Sequence, residues 1–179
     1  HACEWNPTFG EVVKDYSHKN RLMKKYDVHV CLVEGNTIAN LTPVLDRLFK
    51  PKKVILVGKP EGHKEFTQLV NVLEKYHVEF EVFELSDTWC MSYLLDQFTD
   101  LAGRLEGQSV GLNISGGTKS MTLAAQESFR MAKIDIFFVH LDKDRISWLY
   151  PRGETYELED KLCLKNYFMS QGYTLVSGG

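Results

Sequence analysis

Val110-Gly111-Leu112-Asn113-Ile114-Ser115-Gly116-Gly117-Thr118-Lys119 is the stretch that decides the fold of this chain. Its first half is an apolar run of strand length, and its second half is a turn built on a double glycine. Immediately after it, Met121, Leu123, Ala124, Ala125 and Phe129 follow at helical spacing. Strand, glycine turn and helix in that order open a β-α-β crossover. Gly116 and Gly117 carry no β-carbon, so their N–H groups can come close to a ligand. The helix that follows points its positive end at the same spot. Ser115 and Thr118 add hydroxyls, and Lys119 adds a mobile cation suited to phosphate. The stretch therefore predicts an anion-binding loop. It is not a Walker loop: Gly111 and Gly116 have the spacing, but Gly117 stands where the lysine belongs. Nor does it contain Gly-x-Gly-x-x-Gly, which argues against a dinucleotide dehydrogenase.

Upstream, the same unit recurs. Asp27 to Val33 is a strand-like run, followed by polar Glu34-Gly35-Asn36-Thr37 and a helical stripe through Ile38, Leu41, Val44, Leu45 and Leu48. Lys53 to Val57 is a second strand, ending at Gly58-Lys59-Pro60, with a stripe through Phe66, Leu69, Val70, Leu73 and Tyr76. Glu79 to Leu85 is a third, with Ser86 and Asp87 as caps of a helix through about Leu105. Downstream, Ile136-Phe137-Phe138-Val139 is a fifth, and Ile146 to Tyr150 and a patch around Tyr156 flank Gly153. Strands alternating with helices, several apolar throughout, require parallel neighbours covered on both faces. The expected fold is α/β, a Rossmann-like three-layer sandwich with a mostly parallel sheet and a C-terminal antiparallel hairpin edge. Lys161 to Ser170 predicts a short closing helix.

In such a sheet ligands bind at the carboxyl edge of the strands. The predicted ligand-binding residues are therefore Glu34, Gly35, Asn36, Thr37, Lys59, Ser86, Asn113, Ser115, Gly116, Gly117, Thr118 and Lys119.

The 179 residues suffice for one domain, and 44% hydrophobic with 25% charged residues is a globular composition. A formal charge of −3 argues against a partner in long nucleic acid. The four cysteines are widely spaced, and two lie in apolar runs, which predicts free buried thiols in a reducing compartment. No run approaches a membrane span. Residues 1–25 differ from the rest. Phe9, Val12, Val13, Tyr16 and Met23 form a loosely amphipathic stripe beside Lys14, Lys19, Arg21, Lys24 and Lys25. Two readings stand: a solvated linker helix, or a juxtamembrane segment on the cytoplasmic side with Trp5 and Phe9 at the interface. Residues 26–173 form the domain and 174–179 a tail.

Other candidates carry less. Asp142 and Asp144 are turn carboxylates without a third ligand, so no metal is expected. His29 alternates with apolar residues and predicts a hydrogen-bonded core histidine. Trp89 and Trp148 are expected in the core or at a subunit interface, with adenine stacking an option for Trp148. Met91, Met121 and Met131 are expected as core filler.

Asn113-x-Ser115-Gly116-Gly117-Thr118-Lys119-x-Met121, on the fourth strand and helix, resembles the signature of CRISPR-associated Rossmann-fold (CARF) domains. The likeness runs on through Leu123-Ala124-Ala125 and Trp148-Leu149-Tyr150-Pro151 to Leu164-Lys165-Asn166-Tyr167-Phe168, covering roughly Tyr26 to Tyr173. It is greatest to a branch found at the head of nuclease effectors. The resemblance implies a homodimer that binds cyclic oligoadenylate across its two-fold axis as an antiviral second messenger, with no cofactor. Gly116, Gly117, Thr118 and Lys119 would line phosphates, and Glu34 to Thr37 would meet ribose and adenine. A four-unit ring fits the two-fold most simply, and six units stay open. No nuclease follows Tyr173, so the effector is expected elsewhere: in a nuclease from which this sensor was cut, or in a membrane assembly reached through a segment ahead of His1. The protein would then be cytoplasmic, or held at the cytoplasmic face of the inner membrane.

An enzyme is the alternative, since some CARF domains cleave their ring without metal by attack of a ribose 2′-OH. His63 and His77 flank the second helix and His140 ends a strand, so no histidine falls in a ligand loop. No catalytic residue is assigned, and slow or no cleavage is expected. A mononucleotide-binding metabolic domain is the remaining rival.

Overall fold

Short apolar runs interrupted by amphipathic stripes leave each strand only one way to bury both faces, a sheet with helices above and below. The computed structural model, which describes residues 24–35, 37–62, 64–151 and 155–158, has that arrangement. The strands are β1 (Val28–Leu32), β2 (Lys53–Gly58), β3 (Glu79–Glu84), β4 (Val110–Asn113), β5 (Asp135–His140), β6 (Arg145–Tyr150) and β7 (Thr155–Glu157). The helices are α1 (Thr37–Leu45), α2 (Lys64–Lys75), α3 (Met91–Arg104) and α4 (Lys119–Met131). They build one seven-stranded sheet in the order β3-β2-β1-β4-β5-β6-β7. Strands β1 to β5 run parallel, and β6 and β7 close the edge antiparallel. The Rossmann-like reading and its hairpin edge hold. Residues 1–23, with Lys14, Lys19 and Arg21 of the basic cluster, and the expected helix Lys161–Ser170 lie outside the described residues.

Alternation along β1 divides the core. Val28, Val30 and Leu32 face α3 and α4, where Leu94, Phe98, Met121, Ala125 and Phe129 bury against Ile55, Val57, Leu112 and Ile136. Cys31 and Val33 face the other layer, with Leu41 and Val44 of α1 and Phe66, Leu69 and Leu73 of α2. Beneath the hairpin, Tyr26, Phe49, Phe137, Ile146 and Trp148 form an aromatic cluster. Trp148 donates from Nε1 to the Tyr26 hydroxyl at 2.8 Å. That hydroxyl donates to Asp135 at 2.6 Å, and Lys24 pairs with the same carboxylate.

Several sequence expectations need correcting. Helix α1 ends at Leu45, not Leu48, because the Asp46 carboxylate takes the N–H groups of Leu48 and Phe49 into a turn. Helix α3 begins at Met91, later than caps at Ser86 or Asp87 would place it, and its N-cap residue is Cys90 with no side-chain cap. The Asp87 carboxylate instead accepts from Trp89 N at 2.6 Å and Cys90 N at 2.8 Å, bracing the loop ahead of the helix. Only Met121 of the three methionines fills the core; Met91 is exposed and Met131 is 79% exposed, because both lie on outward helix faces. Cys90 is exposed, while Cys31 is buried. Trp148 is buried and committed to Tyr26, which removes it as a stacking platform, whereas Trp89 is outside the core altogether.

His29 departs furthest. It is fully buried against Phe49, Phe137 and Tyr26, yet neither ring nitrogen has a hydrogen-bond partner among the described residues. Strand alternation predicted its burial, but the neighbours that other elements bring to it are aromatic rather than polar. Burial holds its pKa down at about 3, so the ring is neutral.

Candidate functional site

The strand order reverses between β1 and β4, since β2 and β3 are added on one side and β5 on the other. A crevice opens outside the carboxyl ends of strands at such a switch point. Two loops face it: the one after β1, carrying Glu34 and Gly35, and the glycine loop Ser115–Thr118 after β4. They are joined directly, because Gly117 N donates to Glu34 O at 3.0 Å.

Both glycines are required by geometry. A β-carbon on Gly116 would lie 2.3 Å from the Leu32 carbonyl oxygen and 3.1 Å from Asn40 Nδ2. Gly117 has φ +88°, a left-handed conformation that costs other residues strain. The loop thus packs onto the end of β1 more closely than any side chain permits.

Asn113, fully buried at the end of β4, holds the loop from within. Its Oδ1 accepts from Ser115 N at 3.0 Å and from Ser115 Oγ at 2.6 Å. Its Nδ2 donates to Ala39 O in α1 at 2.9 Å. That carbonyl lies four residues before Pro43, which has no N–H to offer it. Ser115 Oγ in turn accepts from Val139 N of β5 at 2.8 Å. Asn40 reaches back from α1 to Leu32 O at 2.8 Å, while its Oδ1 is buried without a partner among the described residues. Thr118 caps α4: its hydroxyl accepts from Met121 N at 3.0 Å and donates to Thr88 O at 2.7 Å. Together with Asn113, the glycine loop is therefore bonded to the loop after β1, to α1, to β5 and to the loop after β3.

These bonds separate two kinds of predicted residue. Asn113, Ser115 and Thr118 spend their polar groups on the protein, and Gly117 N is spent on Glu34. The amides of Gly116, Thr118, Lys119 and Ser120 make no hydrogen bond among the described residues. Lys119 is exposed at the head of α4 and forms no ion pair among them. Neither α1 nor α4 has an acid in its first turn. Two helix starts and a lysine therefore meet at the switch point, with Glu34 in the adjoining loop, an arrangement suited to phosphate.

The remaining predicted residues are spread along the same edge. Gly35 is exposed, and Glu34 and Thr37 are half-buried, beside the glycine loop. Asn36 lies outside the described residues. Lys59 and Ser86 are exposed one and two strands away, after β2 and β3. Lys59 is near enough to help hold the Asp87 carboxyl below its usual range, after the larger effect of the Cys90 and Trp89 amides. Ser86 N donates to the Tyr93 hydroxyl at 3.0 Å. The loop after β3 turns back toward the switch point at Thr88, a contact sequence spacing alone did not reveal. His140, at the carboxyl end of β5, lies 3.1 Å through Nε2 from Ser147 Oγ. Among the described residues, no group of three or more acidic, cysteine or histidine side chains is arranged to hold a metal. No helix among them is long and apolar enough to cross a membrane.

Fold and site together define a Rossmann-like domain whose glycine loop, Lys119 and two helix starts lie at its switch point. The chain belongs to the Card1 CARF domain family, whose model matches residues 28–167. Among solved structures it is similar to protein VC1899 from Vibrio cholerae, with 28% identity and a TM-score of 0.69 over 74% of this chain and 36% of that one. It is also similar to Can2 from Sulfobacillus thermosulfidooxidans in complex with cyclic tetra-adenylate. There the identity is 27% and the TM-score 0.70, over 80% of this chain and 39% of that one. A type III CRISPR defence DNA nuclease activated by cyclic oligoadenylate shares the fold at 19% identity and a TM-score of 0.61, over 77% of this chain and 22% of that one. The chain thus spans less than two fifths of the length of each of these structures. No curated protein matches it.

Proposed function

We propose that this CARF domain is a sensor that binds cyclic oligoadenylate across the two-fold axis of a homodimer and passes the event to an antiviral effector. The observation that carries the reading is the glycine loop: four N–H groups and Lys119 without partners among the described residues, and two helix starts with no acid in the first turn, at one switch point. Such a site suits bridging phosphates. The similarity to Can2, whose structure holds cyclic tetra-adenylate, supports a ring ligand, and a four-unit ring matches a two-fold site. Lys119 and the Gly116, Thr118 and Ser120 amides take phosphate oxygens. Glu34 to Thr37 and the neighbouring edge loops, with Lys59 and Ser86, surround ribose and base. Asn113, Ser115 and Gly117 hold the cradle in shape. Exposed Met91, Leu123 and Met131 on α3 and α4 offer apolar surface to a second copy.

Calorimetric titration with cyclic tri-, tetra- and hexa-adenylate tests the reading. One ring per two chains is expected. Lys119→Ala should weaken binding about 10- to 100-fold, the range for losing a charged hydrogen-bond donor. Failure of every ring to bind would refute the sensor.

A further inference from the structure

Trp89 is 67% exposed, an unusual state for the largest apolar side chain. Its backbone, however, is held firmly. Trp89 N donates to the Asp87 carboxylate, and the preceding carbonyl, that of Thr88, accepts the Thr118 hydroxyl at 2.7 Å. Trp89 thus directly follows the residue whose carbonyl bonds the cap of α4, the helix that heads the anion cradle. It makes no ring contact with another aromatic side chain among the described residues. An exposed aromatic on a braced backbone, beside a phosphate site, is what a nucleobase needs as a stacking platform.

We infer that Trp89 is a specificity-determining residue, stacking on an adenine of the ligand whose phosphates occupy the glycine loop. This rests on the sensor reading above and extends it from phosphate to base. The cradle recognises only phosphate chemistry, which every cyclic oligonucleotide shares. A π-face next to it favours purines, with their larger stacking area, and so supplies part of the discrimination that the cradle lacks. Thr118 joins the two functions, because one hydroxyl both caps α4 and pins the loop that carries the indole.

The test uses the full chain and two rings of equal charge, cyclic tetra-adenylate and cyclic tetra-uridylate, titrated into the native protein, Trp89→Ala and Trp89→Phe. Trp89→Ala should lose about tenfold or more in affinity for the adenylate ring and much less for the uridylate ring. Trp89→Phe should keep most of the native preference. Equal adenylate affinity in Trp89→Ala and native protein would overturn the inference. So would equal losses for both rings in a Trp89→Ala chain that sediments as a smaller species, which would place the indole in a subunit contact. A native chain that binds none of the tri-, tetra- and hexa-adenylate rings removes the sensor reading and this one together. A native chain that binds, with a Trp89→Ala chain that binds equally, removes this one alone.

Discussion

Cys31 and Cys90 bear the same thiol in opposite surroundings. Burial pushes the Cys31 thiol up to about 12, whereas the Ser92 hydroxyl and the Tyr93 amide pull the exposed Cys90 thiol below its ordinary value. Thiolate is the reactive form. Brief iodoacetamide treatment of the folded protein at mildly alkaline pH should therefore alkylate Cys90 and leave Cys31 unmodified until denaturant is added. Peptide mass spectrometry reads both sites, and native labelling of Cys31 at a similar rate would contradict its burial. Glycines give a second contrast at this scale. Gly116→Ala forces a β-carbon into the Leu32 carbonyl, so a loss of more than about 1 kcal/mol is expected. Gly103→Ala adds a methyl to open space on an exposed turn of α3 and should stabilise by about 0.5–1 kcal/mol. Urea unfolding of the two variants checks the opposite signs; a shared sign would mean the loop packs differently.

Between elements, the glycine loop works as a joint. Asn113 and Ser115 tie the end of β4 to α1 and β5 through four hydrogen bonds, two of which run between them. Removing Asn113 strands the Ser115 amide, so Asn113→Ala should cost about 2–4 kcal/mol. Ser115→Ala, which strands Val139 N, should cost about 1–3 kcal/mol. Because the two side chains share one of these bonds, the double variant should fall short of the sum by more than about 0.5 kcal/mol. Strict additivity in denaturant titrations would show that the joint is not a unit. The position of this joint was legible in the sequence: a period of two gives way to a helical period across two adjacent glycines. The work of its hydroxyls was not. Ser115 and Thr118 look like ligand donors in sequence because the backbone groups they serve, Val139 N and Thr88 O, come from elements remote in the chain. Trp89 illustrates a related limit. Apolar character marks a candidate for burial in the core or at an interface, but only the packed layer shows that the loop ahead of α3 leaves this residue outside the core.

At the scale of the whole molecule, the strand order puts the switch point where β1 meets β4, and the same sheet interior encloses an uncompensated histidine. His29 sits on β1, on the face that packs beneath α1 and the hairpin, without a partner for either nitrogen among the described residues. Its pKa is lowered by desolvation from 6.5 to about 3. Between those values the unfolded chain binds a proton that the folded chain refuses, so unfolding takes up protons and stability is lost as pH is lowered. The contribution is fully present above pH 6.5. It declines by about 1.4 kcal/mol per pH unit below that, so that at pH 5 the loss is about 2 kcal/mol. His29→Leu has no ring to protonate and fits an apolar, aromatic site. Its unfolding free energy should therefore fall less steeply between pH 7 and pH 5 than that of the native chain, by about 2 kcal/mol over the interval. Denaturant titrations of both chains at a series of pH values measure the difference in slope directly. Parallel curves would mean that His29 is protonated in the folded state, which the aromatic cluster around it does not permit unless the core beneath the hairpin opens.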